Sequence, residues 1–204
     1  MKASWIRFLL ALTLVGFSAV AAAEIAPDEL VKKTADEVLE IVRTDKDIQN
    51  GDQKKIFDLA ETKILPYFDF DRVCRLVLGR NWTNATDEQK AQFQKEFRSL
   101  LLRTYSSALS KYRDQTIEYL PFRMPADATR ATVKTRILQP GGQPIGLDYV
   151  LEKGPNGWKV FDLVIEDVSL VTNYRSQFGN EIRQAGGLDG LIKRLAEKNR
   201  EAGV

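Results

Sequence analysis

Asp148 and Asp162 are carboxylates that each fall within a run of apolar and β-branched residues that reads as a strand. Acid–base catalysis would need such a group inside a cavity. The chain has no histidine and a single cysteine, Cys74. Ser-His-Asp hydrolysis, Cys-His proteolysis and His-ligated zinc are therefore excluded. Calcium or magnesium chemistry would need its own signature, and there is no EF-hand loop, P-loop or paired-glycine phosphate motif. Cys74 repeats with Phe70 and Leu78 at i±4, the spacing of a buried structural thiol. Tyr105, Tyr112 and Tyr174 can either gate a cavity or bury their rings and pair each hydroxyl.

These residues are carried by elements whose periods are easy to read. The first 23 residues have Lys2 and Arg7 ahead of an uncharged run and end in three alanines, the pattern of a secretory signal peptide cleaved near Ala23. The uncharged run from Phe8 to Ala23 is 16 residues, short of the roughly 20 that cross a bilayer core. Cutting there leaves 181 of 204 residues and, with Lys2 and Arg7 gone, takes the formal charge from +2 to 0. The expectation is one domain, residues 24–204, in an exported aqueous compartment, with no net field to hold a nucleic acid.

Pro27 opens a helix with the stripe Val31, Ala35, Val38 and Val42. The segment after Thr44 reads as a loop, followed by a helix through Ile64 that ends before Pro66. Asp69 or Asp71 caps a third helix, closed by Gly79 in the left-handed position. Thr86 and Gln89 form a capping box for a long helix to about Arg113, on the order of 40 Å. That helix can act as a spine against which a sheet curls.

From Gln115 the apolar period changes from 3.6 to 2, predicting strands at Gln115–Met124, Arg130–Gln139, Gln143–Lys153 and Gly157–Glu166. Pro140-Gly141-Gly142 and Gly154-Pro155-Asn156-Gly157 supply hairpin turns, so the strands form an antiparallel meander. Strict alternation places Phe161, Leu163 and Ile165 on one face and Trp158, Val160, Asp162 and Val164 on the other. Asp148 likewise falls opposite Leu147 and Tyr149, so neither strand carboxylate faces the apolar side and catalysis is disfavoured. A helix from about Val168 to Gln184 follows, then Gly186-Gly187, a last helix and a polar, fraying tail.

Three stretches, FDFDRVCRLVLGRNW from Phe68, FQKEFRSLLLRTYSSAL from Phe93 and WKVFDLVIEDVSLVTNYRSQF from Trp158 followed by GGLDGLIKRL, resemble the MlaC/toluene-tolerance family of periplasmic phospholipid-binding proteins. The resemblance implies an α+β fold of nuclear-transport-factor-2-like type, a curved antiparallel four-stranded sheet packed on helices, with additional N-terminal helices. It implies a non-enzymatic carrier in the periplasm of a Gram-negative bacterium, an auxiliary of ABC transport that maintains outer-membrane lipid asymmetry. Its partners would be phospholipid, an inner-membrane ABC transporter complex with a lipid-binding hexamer and an outer-membrane lipoprotein–porin complex. It would act as a monomer, with no cofactor and phospholipid as cargo.

On that reading the sheet lines a lipid pocket with Val133, Ile137, Ile145, Leu147, Tyr149, Phe161, Leu163 and Ile165. The helices supply Phe97, Leu101, Tyr105, Leu109, Tyr174 and Phe178, with Val168-Ser169-Leu170 as the corner between wall and helix. Two rival readings use the same apolar interior: a periplasmic chaperone-like module with an apolar groove, and a nuclear-transport-factor-2-like isomerase or dehydratase.

Overall fold

The computed structural model describes residues 24–112 and 114–201; the expected signal peptide lies outside them. Helix α1 (Pro27–Thr44) starts on Pro27, with Asp28 and Glu29 in its first turn. The segment expected to be a loop contains α2 (Lys46–Gln49), because Asp45 accepts hydrogen bonds from the Asp47 and Ile48 amides and buries Ile48. Helix α3 (Gln53–Leu59) does not run on to Ile64 as an α-helix. It widens into a π turn at Ala60–Ile64 and tightens to a 3₁₀ turn at Leu65–Tyr67, since Pro66 has no amide to continue the ladder.

Asp69 caps α4 (Phe70–Leu78) through the Arg72 amide at 3.0 Å. Gly79 follows at φ 54°, ψ −122°, a conformation open to glycine alone rather than the left-handed helical one expected. This sharp corner lets a further helix, α5 (Arg80–Asn84), turn Trp82 into the interior. The capping box is formed: the Gln89 amide donates to Thr86 Oγ1 and the Thr86 amide to Gln89 Oε1. Helix α6 (Asp87–Ser110) ends before Arg113 and packs chiefly against α8, α3, α2 and α4. Its Phe93 and Phe97 stack together and meet Phe178 edge-on, at centroid distances of 5.4, 5.7 and 5.2 Å.

Five strands form the antiparallel sheet, in the order β1 (Thr116–Tyr119), β2 (Arg130–Leu138), β3 (Ile145–Gly154), β4 (Gly157–Ile165) and β5 (Val168–Ser169). Strand β1 is shorter than expected; Pro121 and Pro125 lack the amide that a ladder requires. The fifth strand was not expected. Glu166 and Asp167, at φ 47° and 62°, make a two-residue turn that folds Val168–Ser169 back on Val164–Ile165. Helix α7 (Leu170–Ala185) therefore starts two residues later than its periodicity suggests, and α8 (Leu188–Glu201) completes the fold. Of the tail expected to fray, residues 196–201 are helical, and Asn199, 2% exposed, donates to the Glu96 backbone oxygen and to Glu96 Oε2; the last three residues lie outside the described ones.

Alternation along β4 fails at one point. A bulge pairs Val150 with Asp162 but Leu151 with Val160, leaving Phe161 as the extra residue. Trp158 and Val160 thereby join Leu163 and Ile165 on the face of Val133 and Leu151, while Phe161 turns away. Its ring lies 4.2 Å from the Arg72 guanidinium and packs into the helical core.

The apolar residues collect in three cores. One joins α4 to α8 around Phe93, Phe97 and Phe178; one holds Leu30 and Val31 of α1 against Val133, Leu151 and Val160; one closes α1, α2, α3 and Tyr112 around Val42 and Ile56.

Candidate functional site

The inner face of the sheet is apolar along its whole length, but its burial is graded. Antiparallel register stacks Ala131, Leu151 and Val160 in one row, Val133, Tyr149 and Leu163 in the next, then Thr135, Leu147 and Ile165, then Ile117, Ile137 and Ile145. In the first row the side chains are 7%, 0% and 3% exposed and α1 lies over them. By the third and fourth rows Leu147, Ile165, Ile117, Ile137 and Ile145 are only half-buried and join none of the three cores. Val168, which pairs with Ile165 at the end of this face, is 55% exposed. A dry floor thus opens toward an apolar rim.

Facing elements behave the same way. On α6, Leu101 and Leu109 are half-buried at the edges of two different cores, and Tyr105 between them belongs to none. Burial first, and then the neighbouring Tyr174 phenol, pushes the Tyr105 phenol up to about 12. Half-buried apolar side chains outside the three cores make this end of the sheet's inner face the candidate cleft.

Polar groups on the inner face are few. Thr135 is buried and donates to the Leu147 carbonyl at 2.6 Å, so it adds no free polarity. Tyr119 donates to Asp36 of α1 at 2.9 Å and ties the edge strand to that helix. Tyr149 is different. Burial alone pushes its phenol up to about 12, yet its side chain keeps accessible surface and among the described residues its hydroxyl has no hydrogen-bond partner.

The fourteen residues named from sequence separate into groups. Tyr105, Ile137, Ile145, Leu147 and Ile165 are half-buried and belong to none of the three cores, and Leu101, Leu109, Tyr149 and Leu163 are half-buried at the margins of the cores. Phe97, Tyr174, Phe178 and Val133 are buried within the cores, and Phe161 sits outside the inner face because of the bulge. Ile117 was missed; the alternation in Thr116–Tyr119 and its register with Ile137 place it on the same wall.

Neither carboxylate is free to act there. Asp148 pairs with Lys134 at 3.2 Å on the outer face, and Asp162 accepts from Ser169 and the Val171 amide at the start of α7. Cys74 is fully buried, and burial pushes its thiol far up, so it is inert at neutral pH. Among the described residues no three His, Cys, Asp or Glu side chains converge as metal ligands, and no helix is long and apolar enough to cross a membrane. A hollow of about 320 Å³ on the outer face is lined by Lys134, Arg136, Asp148, Glu166 and Asp167, too polar to hold a hydrocarbon chain.

Comparison with known proteins bears on this cleft. The sequence model of the MlaC protein family matches residues 32–197. The toluene tolerance protein ttg2D of Pseudomonas putida is 24% identical over 98% of this chain and 95% of its own length. The intermembrane phospholipid transport system binding protein MlaC of Haemophilus influenzae is 26% identical over 94% of this chain and 90% of its own. A phospholipid-binding protein from Ralstonia solanacearum, solved in complex with a phospholipid, superposes with a TM-score of 0.84 at 40% identity, covering 88% of this chain and all of its own.

Proposed function

Since the chain belongs to the MlaC family, we propose that it is a phospholipid carrier whose cleft between the inner sheet face and α6 holds the acyl tails. The observation that carries this reading is the row of half-buried apolar side chains, Ile137, Ile145, Leu147 and Ile165, that belong to no core although they line the interior. A monomeric domain gains nothing by leaving such a face unpacked unless something apolar fills it. Its 40% identity to a protein solved with bound phospholipid supports the same occupant.

The energetics suit a carrier. Exposing two long acyl chains, about 28 methylenes, to water would cost on the order of 20 kcal/mol, at roughly 0.8 kcal/mol each. Moving them from a bilayer into a dry cleft exchanges one apolar setting for another, so transfer is nearly balanced and needs no covalent step. The head group stays hydrated at the rim. Direction then comes from the docking partners, which on the family reading are an outer-membrane lipoprotein–porin complex and an inner-membrane ABC transporter with a lipid-binding hexamer. The chain shuttles between them in the periplasm as a monomer and maintains outer-membrane lipid asymmetry. The nuclear-transport-factor-2-like frame belongs to this reading too, with β5 as an addition to its sheet.

Native mass spectrometry of the protein purified from cells tests the carrier reading. Co-purified phospholipid at fixed stoichiometry is the expected result; a protein free of lipid that takes none from vesicles and instead holds unfolded chains would replace the carrier by a chaperone.

A further inference from the structure

Tyr149 occupies the centre of the inner face, with Val133 and Leu163 directly opposite it on the flanking strands. Phenylalanine would serve a purely apolar wall at this position without burying a hydroxyl. The other phenols of this region are committed: Tyr119 donates to Asp36, Tyr112 donates to the Gln115 carbonyl, and Tyr105 lies beside Tyr174. Among the described residues the Tyr149 hydroxyl has no hydrogen-bond partner, and it is not sealed in by its neighbours. Its ring packs at the margin of the core under α1, and its phenol lies near enough to that of Tyr119 to help raise it.

We propose that the Tyr149 hydroxyl is the polar anchor of the cleft and donates a hydrogen bond to an ester carbonyl oxygen of a bound diacyl phospholipid, making the protein selective for ester-linked over ether-linked chains. A phenol is neutral at physiological pH and acts there as a donor, and burial strengthens that preference at this site. The acceptors a diacyl lipid brings are its phosphate oxygens and its ester carbonyls. Phosphate is charged and is held at the hydrated rim by the cost of burial, whereas the carbonyls are neutral and enter with the tails. Only the carbonyl can reach a desolvated donor without stripping water from a charge. A site with a donor waiting in a dry place penalises a ligand that lacks the matching acceptor, because the donor then stays unpaired.

The inference rests on the carrier reading, and the experiment separates the two. Delipidated protein is offered vesicles containing equal amounts of a diester phosphatidylglycerol and its diether analogue with identical chains, and the bound species are counted by native mass spectrometry. Wild-type protein is expected to take the ester lipid in about fivefold to tenfold excess, the value of one modest hydrogen bond. Tyr149→Phe, checked for native fold by circular dichroism, is expected to bind both equally. Uptake of both lipids without preference by the wild type, or a preference that survives in folded Tyr149→Phe, overturns the anchor and leaves the carrier standing. Folded wild-type protein that takes up neither lipid overturns the carrier and this inference with it. Should Tyr149→Phe not fold, a wild type without ester preference still overturns the anchor, and Tyr149→Leu, checked the same way, takes the variant's place.

Discussion

The Asp162 carboxylate accepts a hydrogen bond from the Ser169 hydroxyl at 2.5 Å, while Ser169 Oγ accepts from the Thr172 amide and the second Asp162 oxygen from the Val171 amide, each at 3.0 Å. Two amides of the first turn of α7 are thus satisfied by side chains, one of them reaching from β4. This pins the corner where the cleft's wall becomes its helical side. A carboxylate that sequence alone offers as a possible catalyst is a structural clamp.

Removing the clamp should loosen the fold without touching the cleft. Asp162→Ala is expected to lose about 1–3 kcal/mol and Ser169→Ala about 1 kcal/mol in urea unfolding. In the double variant the losses should fall short of their sum, because the two residues share one network. Strict additivity would show that the residues act separately.

Position within the graded face should decide what a substitution does. Leu151, fully buried on the floor, should cost about 2–5 kcal/mol when changed to Ala. Leu147, half-buried and outside the cores, should tolerate Asp with a loss of no more than about 1 kcal/mol but release its lipid, as read by native mass spectrometry. A folded Leu147→Asp protein that still carries lipid would remove this residue from the cleft.

Alkaline stability should report on Tyr149. Its folded phenol is raised to about 12 against about 10 in the unfolded chain. Below pH 10 both states hold the proton and nothing changes. Above it the unfolded chain ionises first, so stability falls until about pH 12, by at most about 3 kcal/mol for this group. Tyr149→Phe should flatten that limb of the stability–pH curve, and ultraviolet titration of the phenolate should show one late-ionising tyrosine fewer. An unchanged curve would mean that Tyr149 is not desolvated.

The turn at Glu166 and Asp167 holds two non-glycine residues at positive φ, where an L side chain crowds its own carbonyl. Glu166 is tied in by its carboxylate, which accepts from the Gly146 amide, but the Asp167 side chain caps nothing. Asp167→Gly should therefore raise the unfolding free energy by about 0.5–1 kcal/mol, the relieved strain less the entropy glycine adds to the unfolded chain. A loss of stability would show that the Asp167 side chain makes a contribution larger than its strain.

By itself the sequence determined most of what depends on neighbours a few residues apart, though not α2 behind its Asp45 cap or the Glu166–Asp167 turn. The helix of Pro27–Thr44, the Asp69 cap, the Thr86–Gln89 capping box and the meander from Arg130 to Ile165 follow from local periods and caps, and the missing histidines settled which chemistries were closed. The resemblance carried by residues 68–82, 93–109 and 158–178 also lay in the string. What tertiary structure decided was every question of which partner a side chain meets. A bulge that depends on β3 moved Phe161 off the inner face and brought Trp158 and Val160 onto it, which alternation along β4 could not show. Aromatic packing between α6 and α7 buries Phe97 and Phe178 in the helical core, and Val133 is buried under α1, whereas Leu147 and Tyr105 stay half-buried outside the cores. An apolar residue has the same signature whether it packs against a core or lines a space, because the difference lies in the distance to the opposite wall.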